Sequence, residues 1–185
     1  EGGGQVSAIR LLQAERHEDI QHLHRQLMTG GLLQKELLEE AEGYLIQKGI
    51  YDVTLIEECD FREYKKLLID SGRYTRQSAV ERSSALRKNQ RYWVEQEYGE
   101  LLAEIKECQV SDAPLKGNIQ RFLIRQGIHH IKDIDYTVRS RYEAELQKTG
   151  NEQRVMKYLK VFDHIKQYPK RDKQPAGNGK KPDAV

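Results

Sequence analysis

Residues 44–72, YLIQKGIYDVTLIEECDFREYKKLLIDSG, and residues 122–150, FLIRQGIHHIKDIDYTVRSRYEAELQKTG, align without a gap at an offset of 78 positions. Tyr44 falls on Phe122, Leu45 on Leu123, Gly49-Ile50 on Gly127-Ile128, Val53 on Ile131 and Ile56 on Ile134. Tyr64 then meets Tyr142, Leu68 meets Leu146 and Gly72 meets Gly150. The first copy has two extra residues after Gly72, and at the resulting offset of 76 Val80 meets Met156, Leu86 meets Phe162 and Tyr92 meets Tyr168. Unrelated leucine-rich helices share apolar spacing but do not hold glycines and aromatics in register. Two copies of one supersecondary unit are therefore expected.

The unit itself reads as helical. Residues 5–28 carry Val6, Ile9, Leu12, Ile20, Leu23 and Leu27 at helical spacing, with Gly30-Gly31 as the stop. A helix over 33–48 follows, closed by Gly49, and then a short apolar connection through Ile50, Val53 and Ile56. Asp60 reads as the N-cap of a helix that runs to Ser71 and stops at Gly72. Residues 73–107 form one long helix with a break near Tyr98-Gly99. Ser111, Asp112 and Pro114 mark a turn, and helices are expected to Gln126, to about Lys148 and to about Tyr168. No alternating strand pattern is present, so the expected fold is all-α. Its segments are an N-terminal helix at 1–30, a first unit at 31–110, a second at 111–170, and a basic tail at 171–185. Residues 169–185, rich in Pro, Gly and Lys, are expected to be disordered. Tyr64 and Tyr142, mid-helix, are expected in the core.

Composition excludes several classes. No apolar run approaches the ~20 residues of a membrane span, and no basic-then-apolar leader opens the chain. The first residue is Glu1, as expected of a processed or cut chain. Two cysteines, Cys59 and Cys108, make neither a disulfide framework nor a four-cysteine zinc site, which fits a reducing, cytoplasmic setting. His17 and His24 share a helix face, but His22 does not join them and no cysteine lies nearby; they read as surface histidines, with no metal or cofactor expected. Phosphate-cradling glycine loops and nucleophile triads are missing from the sequence as well.

The net charge of +2 hides an alternation. Residues 30–72 hold five basic and ten acidic side chains, residues 73–92 six basic against Glu81, residues 100–150 eight of each, and residues 151–185 nine basic against four acidic. Basic segments therefore fall on the last helix of each copy. At 100° per residue, Arg76, Ser83, Ser84, Arg87, Lys88 and Arg91 share an arc, while Ala79, Leu86 and Trp93 face the core. Arg and Lys neutralise phosphates, and small serines allow close backbone approach. Arg87 or Arg91 could fork to a guanine edge. Arg154, Lys157, Lys160, Lys166, Lys170 and Arg171 are the counterparts in the second copy, with Arg139 and Arg141 as weaker candidates.

The order LI-x-x-GI-x-x-(V/I)-x-x-I, then Y-x-x-x-L-x-x-x-G, then a long basic helix, resembles the SAM-like core-binding domain of tyrosine recombinases, the phage-integrase class. The second copy is the closer match. The resemblance implies an N-terminal helical module that clamps duplex DNA together with a catalytic domain. It further implies DNA contacts from Arg76, Ser84, Arg87, Lys88, Arg91, Arg154, Lys157 and Lys160. The family's catalytic H-x-x-R box is missing after the repeats; His22 and Arg25 spell it, but before both copies. The expected function is therefore the DNA-binding part of a recombinase, not an enzyme in itself. Its partners are double-stranded DNA, a catalytic domain of the same polypeptide and other copies of the chain, and no membrane. The alternative is a helical protein-interaction module, towards which the acidic stretch from Glu36 to Glu42 points.

Overall fold

The computed structural model describes residues 3–29 and 35–171, with side chains from 16–29 and 35–168. These residues form α1 (Gly3–Met28), α2 (Lys35–Gln47), a 3-10 turn (Val53–Leu55), α3 (Glu58–Asp70), α4 (Arg76–Glu107), α5 (Ala113–Arg125), a second 3-10 turn (Ile131–Asp133), α6 (Tyr136–Thr149) and α7 (Glu152–Arg171), with no strand among them. The fold is all-α, as the periodicity requires. No helix among the described residues is long and apolar enough to cross a membrane. The Gly30-Gly31 stop, Leu33 and the tail from residue 172 on lie outside the described residues. The backbone of α7 continues through Pro169 to Arg171, past the end expected at Tyr168.

Two compact units divide at Glu97 and Tyr98, inside α4. Tyr98 leaves helical geometry there, at φ −121° and ψ 15°. Its buried ring stacks on His129 at 4.6 Å, and its hydroxyl donates to the Ile124 carbonyl at 3.3 Å. Gly99, a poor helix former, follows. The boundary expected at 110 differs: the helical turns from 98 to 107 belong to the second unit. The N-terminal helix is likewise no separate segment, since Leu23 and Leu27 are fully buried in the first unit's core beside Leu45, Val53 and Tyr64.

With that boundary the repeat grows. The second half of α1 corresponds to the end of α4, so Leu23 and Leu27 match Leu101 and Ile105, all fully buried. Both ends of α2 and α5 keep the offset of 78, and so do the two 3-10 turns. Gly49 and Gly127 share a φ of +70°. Each closes its helix in the same two-bond motif: Gly49 N to Ile46 O and Ile50 N to Leu45 O, Gly127 N to Ile124 O and Ile128 N to Leu123 O, all 2.9–3.0 Å. Only glycine takes this left-handed backbone without strain.

Packing repeats too. Tyr64 lies on Tyr44 at 5.1 Å between ring centres, and Tyr142 on Phe122 at 4.8 Å. Such pairs add about 0.5–1.5 kcal/mol beyond the area they bury. Two details depart from the sequence reading. Glu57, not Asp60, is the N-cap of α3; Asp60 sits three residues on and accepts the Glu57 amide at 2.9 Å, the reciprocal half of a capping box. Gly150 is extended at φ −123° rather than left-handed, because α7 starts at once, its Arg154 amide bonding to Asn151 Oδ1 at 2.9 Å. A Cβ at Gly150 would still meet Leu146 O at 3.1 Å and Arg154 Cδ at 3.2 Å.

Candidate nucleic-acid interface

The first unit's candidate face lies on α4. Thr75 starts this helix by accepting the Ser78 amide at 3.1 Å, so the side chains from Arg76 onward keep strict helical spacing. Its inner side is anchored by Ala79 and Leu86, which are buried, and by Trp93, whose Nε1 donates to the Gln26 carbonyl at 2.8 Å. Arg82 turns inward to Glu40 at 2.7 Å and covers the Tyr74 ring at 4.0 Å. The outer side presents Arg76, Lys88 and Arg91, all exposed, with Ser84 half-buried between them. Among the described residues these three cations make no ion pair.

Two members of the expected face stand elsewhere. Ser83 is buried in the core, since it falls at the arc's edge next to Ala79. Arg87 is engaged: Nη1 and Nη2 donate to the two Glu58 oxygens at 2.7 and 2.6 Å, and its guanidinium covers the Phe61 ring at 4.4 Å. Those bonds to Glu58 push the Arg87 pKa further up from its already high value. Its fork is occupied, and a guanine edge would have to displace a carboxylate.

On α7 the candidates are more tied down. Lys157 reaches Asp112 at 3.1 Å, and Arg154 lies over the Tyr158 ring at 5.0 Å. The amide of Leu115, and then Lys157, hold the Asp112 carboxyl below the usual carboxylate range. Lys160 is exposed and Lys166 half-buried. Lys170 and Arg171 lie in the last turn of α7, with side chains outside the described residues. Arg139 is held by both Asp163 oxygens at 2.8 and 3.1 Å, and Arg141 bonds Gln126 at 3.2 Å. Among the candidates whose side chains are described, α4 thus presents three exposed cations without an ion pair or ring contact, and α7 only Lys160.

A second feature of the first unit escaped the sequence reading. α2, α3 and the connection from α3 to α4 border an open groove of about 510 Å³ lined by Glu36, Glu39, Tyr44, Tyr64, Leu67 and Tyr74, among others. Only the acidic stretch signalled it; Tyr64 is expected in the core, and Tyr74 is brought in by its hydroxyl bond to Glu40 at 2.8 Å.

The histidines are engaged in other pairs than their spacing suggests. His17 meets Gln21 at 3.0 Å and His24 meets Glu42 at 2.8 Å. His22 instead comes near Asp52 and Glu97, one ligand-type atom from each lying within 4.8 Å of the others. Asp52 Oδ1 already accepts from Gln26 and from the amide and hydroxyl of Thr54, while Oδ2 is the oxygen that faces His22, at 3.9 Å. Burial, with Glu107 and Glu104 nearby, pushes the Cys108 thiol up to about 11, which leaves it protonated and inert. Compared with protein-family models, with curated proteins and with solved structures, the chain matches none.

Proposed function

We propose that this chain is the DNA-binding part of a tyrosine-type site-specific recombinase, made of two core-binding-like units that position duplex DNA for a catalytic domain outside this sequence. The observation that carries the reading is the outer face of α4. Arg76, Lys88 and Arg91 stand exposed there, with no ion pair among the described residues, while their neighbours Arg82 and Arg87 are each committed to a glutamate. Unpaired cations on one rigid face gain from releasing the counterions of a phosphate backbone, and lose little by leaving solvent. Ser84, half-buried between them, leaves room for a phosphate and offers it a hydroxyl. The working setting in this reading is the reducing cytoplasm.

The test is a titration of duplex DNA at several salt concentrations. Wild type should bind with a steep salt slope, and Lys88→Ala with Arg91→Ala should reduce that slope by about two and weaken binding about thirtyfold at moderate salt. An unchanged slope in the folded variant would exclude this face. A second reading, a protein-interaction module, is favoured by the acidic and aromatic groove beside α2; no DNA binding by wild type at low salt would select it.

A further inference from the structure

Between α6 and α7 the second unit carries a groove of about 450 Å³ with Val155, Leu159 and Met156 as its apolar part and Glu143 and Glu152 among its polar lining. Met156 is 65% exposed, which no packing role within the unit explains. The repeat register names the matching positions of the first unit. Val155 and Met156 correspond to Ala79 and Val80, and Val80 is 43% exposed. Glu143 corresponds to Lys65, and Glu152 to Arg76. Gln147 corresponds to Ile69, another exposed apolar residue. Both copies thus keep an exposed apolar centre at one register position, and both charged positions reverse sign.

From this we infer that the α3–α4 face of one molecule docks on the α6–α7 face of a second copy of this chain. Had both faces kept the ancestral charge, copies would repel; with Lys65 and Arg76 on one and Glu143 and Glu152 on the other, they attract. Val80 and Met156 supply the apolar contact that such a polar rim surrounds. Each chain carries both halves, so any two copies contain a match, and the association is heterologous in kind. Among the other cations of α7, Lys157 is paired with Asp112, and Lys160, exposed one turn beyond Met156, does not line the groove. Glu143 bonds Arg139 at 3.2 Å, but Arg139 is primarily held by Asp163, and Arg154 is drawn over Tyr158. Arg76 also belongs to the α4 basic face, but the inference stands apart from the DNA reading because it concerns the chain alone.

Sedimentation of the full chain without DNA, over a range of concentration and salt, tests it. Wild type should self-associate, less so as salt rises. Lys65→Glu with Arg76→Glu, and separately Glu143→Lys with Glu152→Lys, should each weaken association at least about tenfold while circular dichroism stays unchanged. An equimolar mixture of the two variants should associate again, because the unchanged α3–α4 face of the second then meets the unchanged α6–α7 face of the first, and the two altered faces match as well. Met156→Asp, a change at an exposed site, should weaken association without any charge partner to restore it. A wild type that stays monomeric at every concentration overturns the inference, and so does a mixture no more associated than its components. Lys88→Ala with Arg91→Ala should self-associate like wild type, which separates failure here from failure of the DNA reading.

Discussion

Asp163 holds Arg139 through two hydrogen bonds, of 2.8 and 3.1 Å, at the two register positions where the first unit lays Arg87 over Phe61. The same helix pair is thus clamped in both units, once by a cation over an aromatic ring and once by an ion pair. The change at one position is matched by a change at the other. Coupling of this kind predicts that Asp163→Arg alone destabilises the second unit, and that adding Arg139→Phe recovers about 0.5–1 kcal/mol of the loss. Urea unfolding of the two single variants and the double variant reads the coupling; strict additivity would show that the two positions are independent.

Gly49 and Gly127 sit at the same left-handed backbone, so Gly49→Ala and Gly127→Ala should each cost about 1–2 kcal/mol. Gly150→Ala should also destabilise, although its φ suits any residue, because the new methyl crowds Leu146 O and Arg154. Only in the last case should trimming the neighbour, as in Arg154→Ala, give part of the loss back. Thermal unfolding of the four variants distinguishes strain from crowding.

Asn89 and Ile165 occupy the same register position, and both are fully buried. Asn89 Nδ2 donates to the Gln26 carbonyl at 3.1 Å, but its Oδ1 has no partner among the described residues. Trp93 already donates to the same carbonyl. Asn89→Leu should therefore be nearly neutral, within about 1 kcal/mol, since a lost bond is offset by relief of a stranded oxygen. Ile165→Asn should cost about 3 kcal/mol, as it strands an amide where nothing receives it. Equal losses from the two changes would contradict this account.

The two thiols should part company on alkylation. Cys59 is exposed and Cys108 buried, with its pKa pushed up to about 11. At pH 8 one equivalent of iodoacetamide should react, at Cys59. The Cys108 rate should rise only towards pH 11 or after unfolding, because the thiolate is the nucleophile. Mass spectrometry of the native protein across pH checks both rates.

The 29 residues from Tyr44 to Gly72 made the duplication legible because glycines and aromatics rarely coincide by chance. Its upstream part was hidden. From α1 to the end of α4 Leu23 and Leu27 find aliphatic equivalents and Ile20 meets Tyr98, a spacing common to most helices, while His22 meets Glu100 and Gln26 meets Glu104. The break at Tyr98-Gly99 was readable, but not that it separates the units, since nothing local says which core a helix half joins. The basic arc of α4 was readable for Arg76, Lys88 and Arg91. Arg87 was not, because Glu58 lies 29 residues away and its approach is a matter of helix packing. Asp60 looked like the cap because aspartate caps more often than glutamate, and the three-residue reciprocity with Glu57 makes either assignment plausible on paper.

Beneath each 3-10 turn one side chain receives the same amide: Gln26 Oε1 accepts from Val53 at 3.0 Å, and Glu104 Oε2 accepts from Ile131 at 2.8 Å. Around this constant bond the partners trade places. His22 faces Asp52 at 3.9 Å in the first unit, whereas Glu100 faces His130 at 3.2 Å in the second. Two modules of the same fold in one chain risk folding with each other's helices, a characteristic failure of repeat proteins. Here a crossed assembly would set His22 against His130 and Glu100 against Asp52, and would bring Arg87 onto Arg139. The exchange of acid for base disfavours such crossed closure and so favours each half of the chain closing on itself.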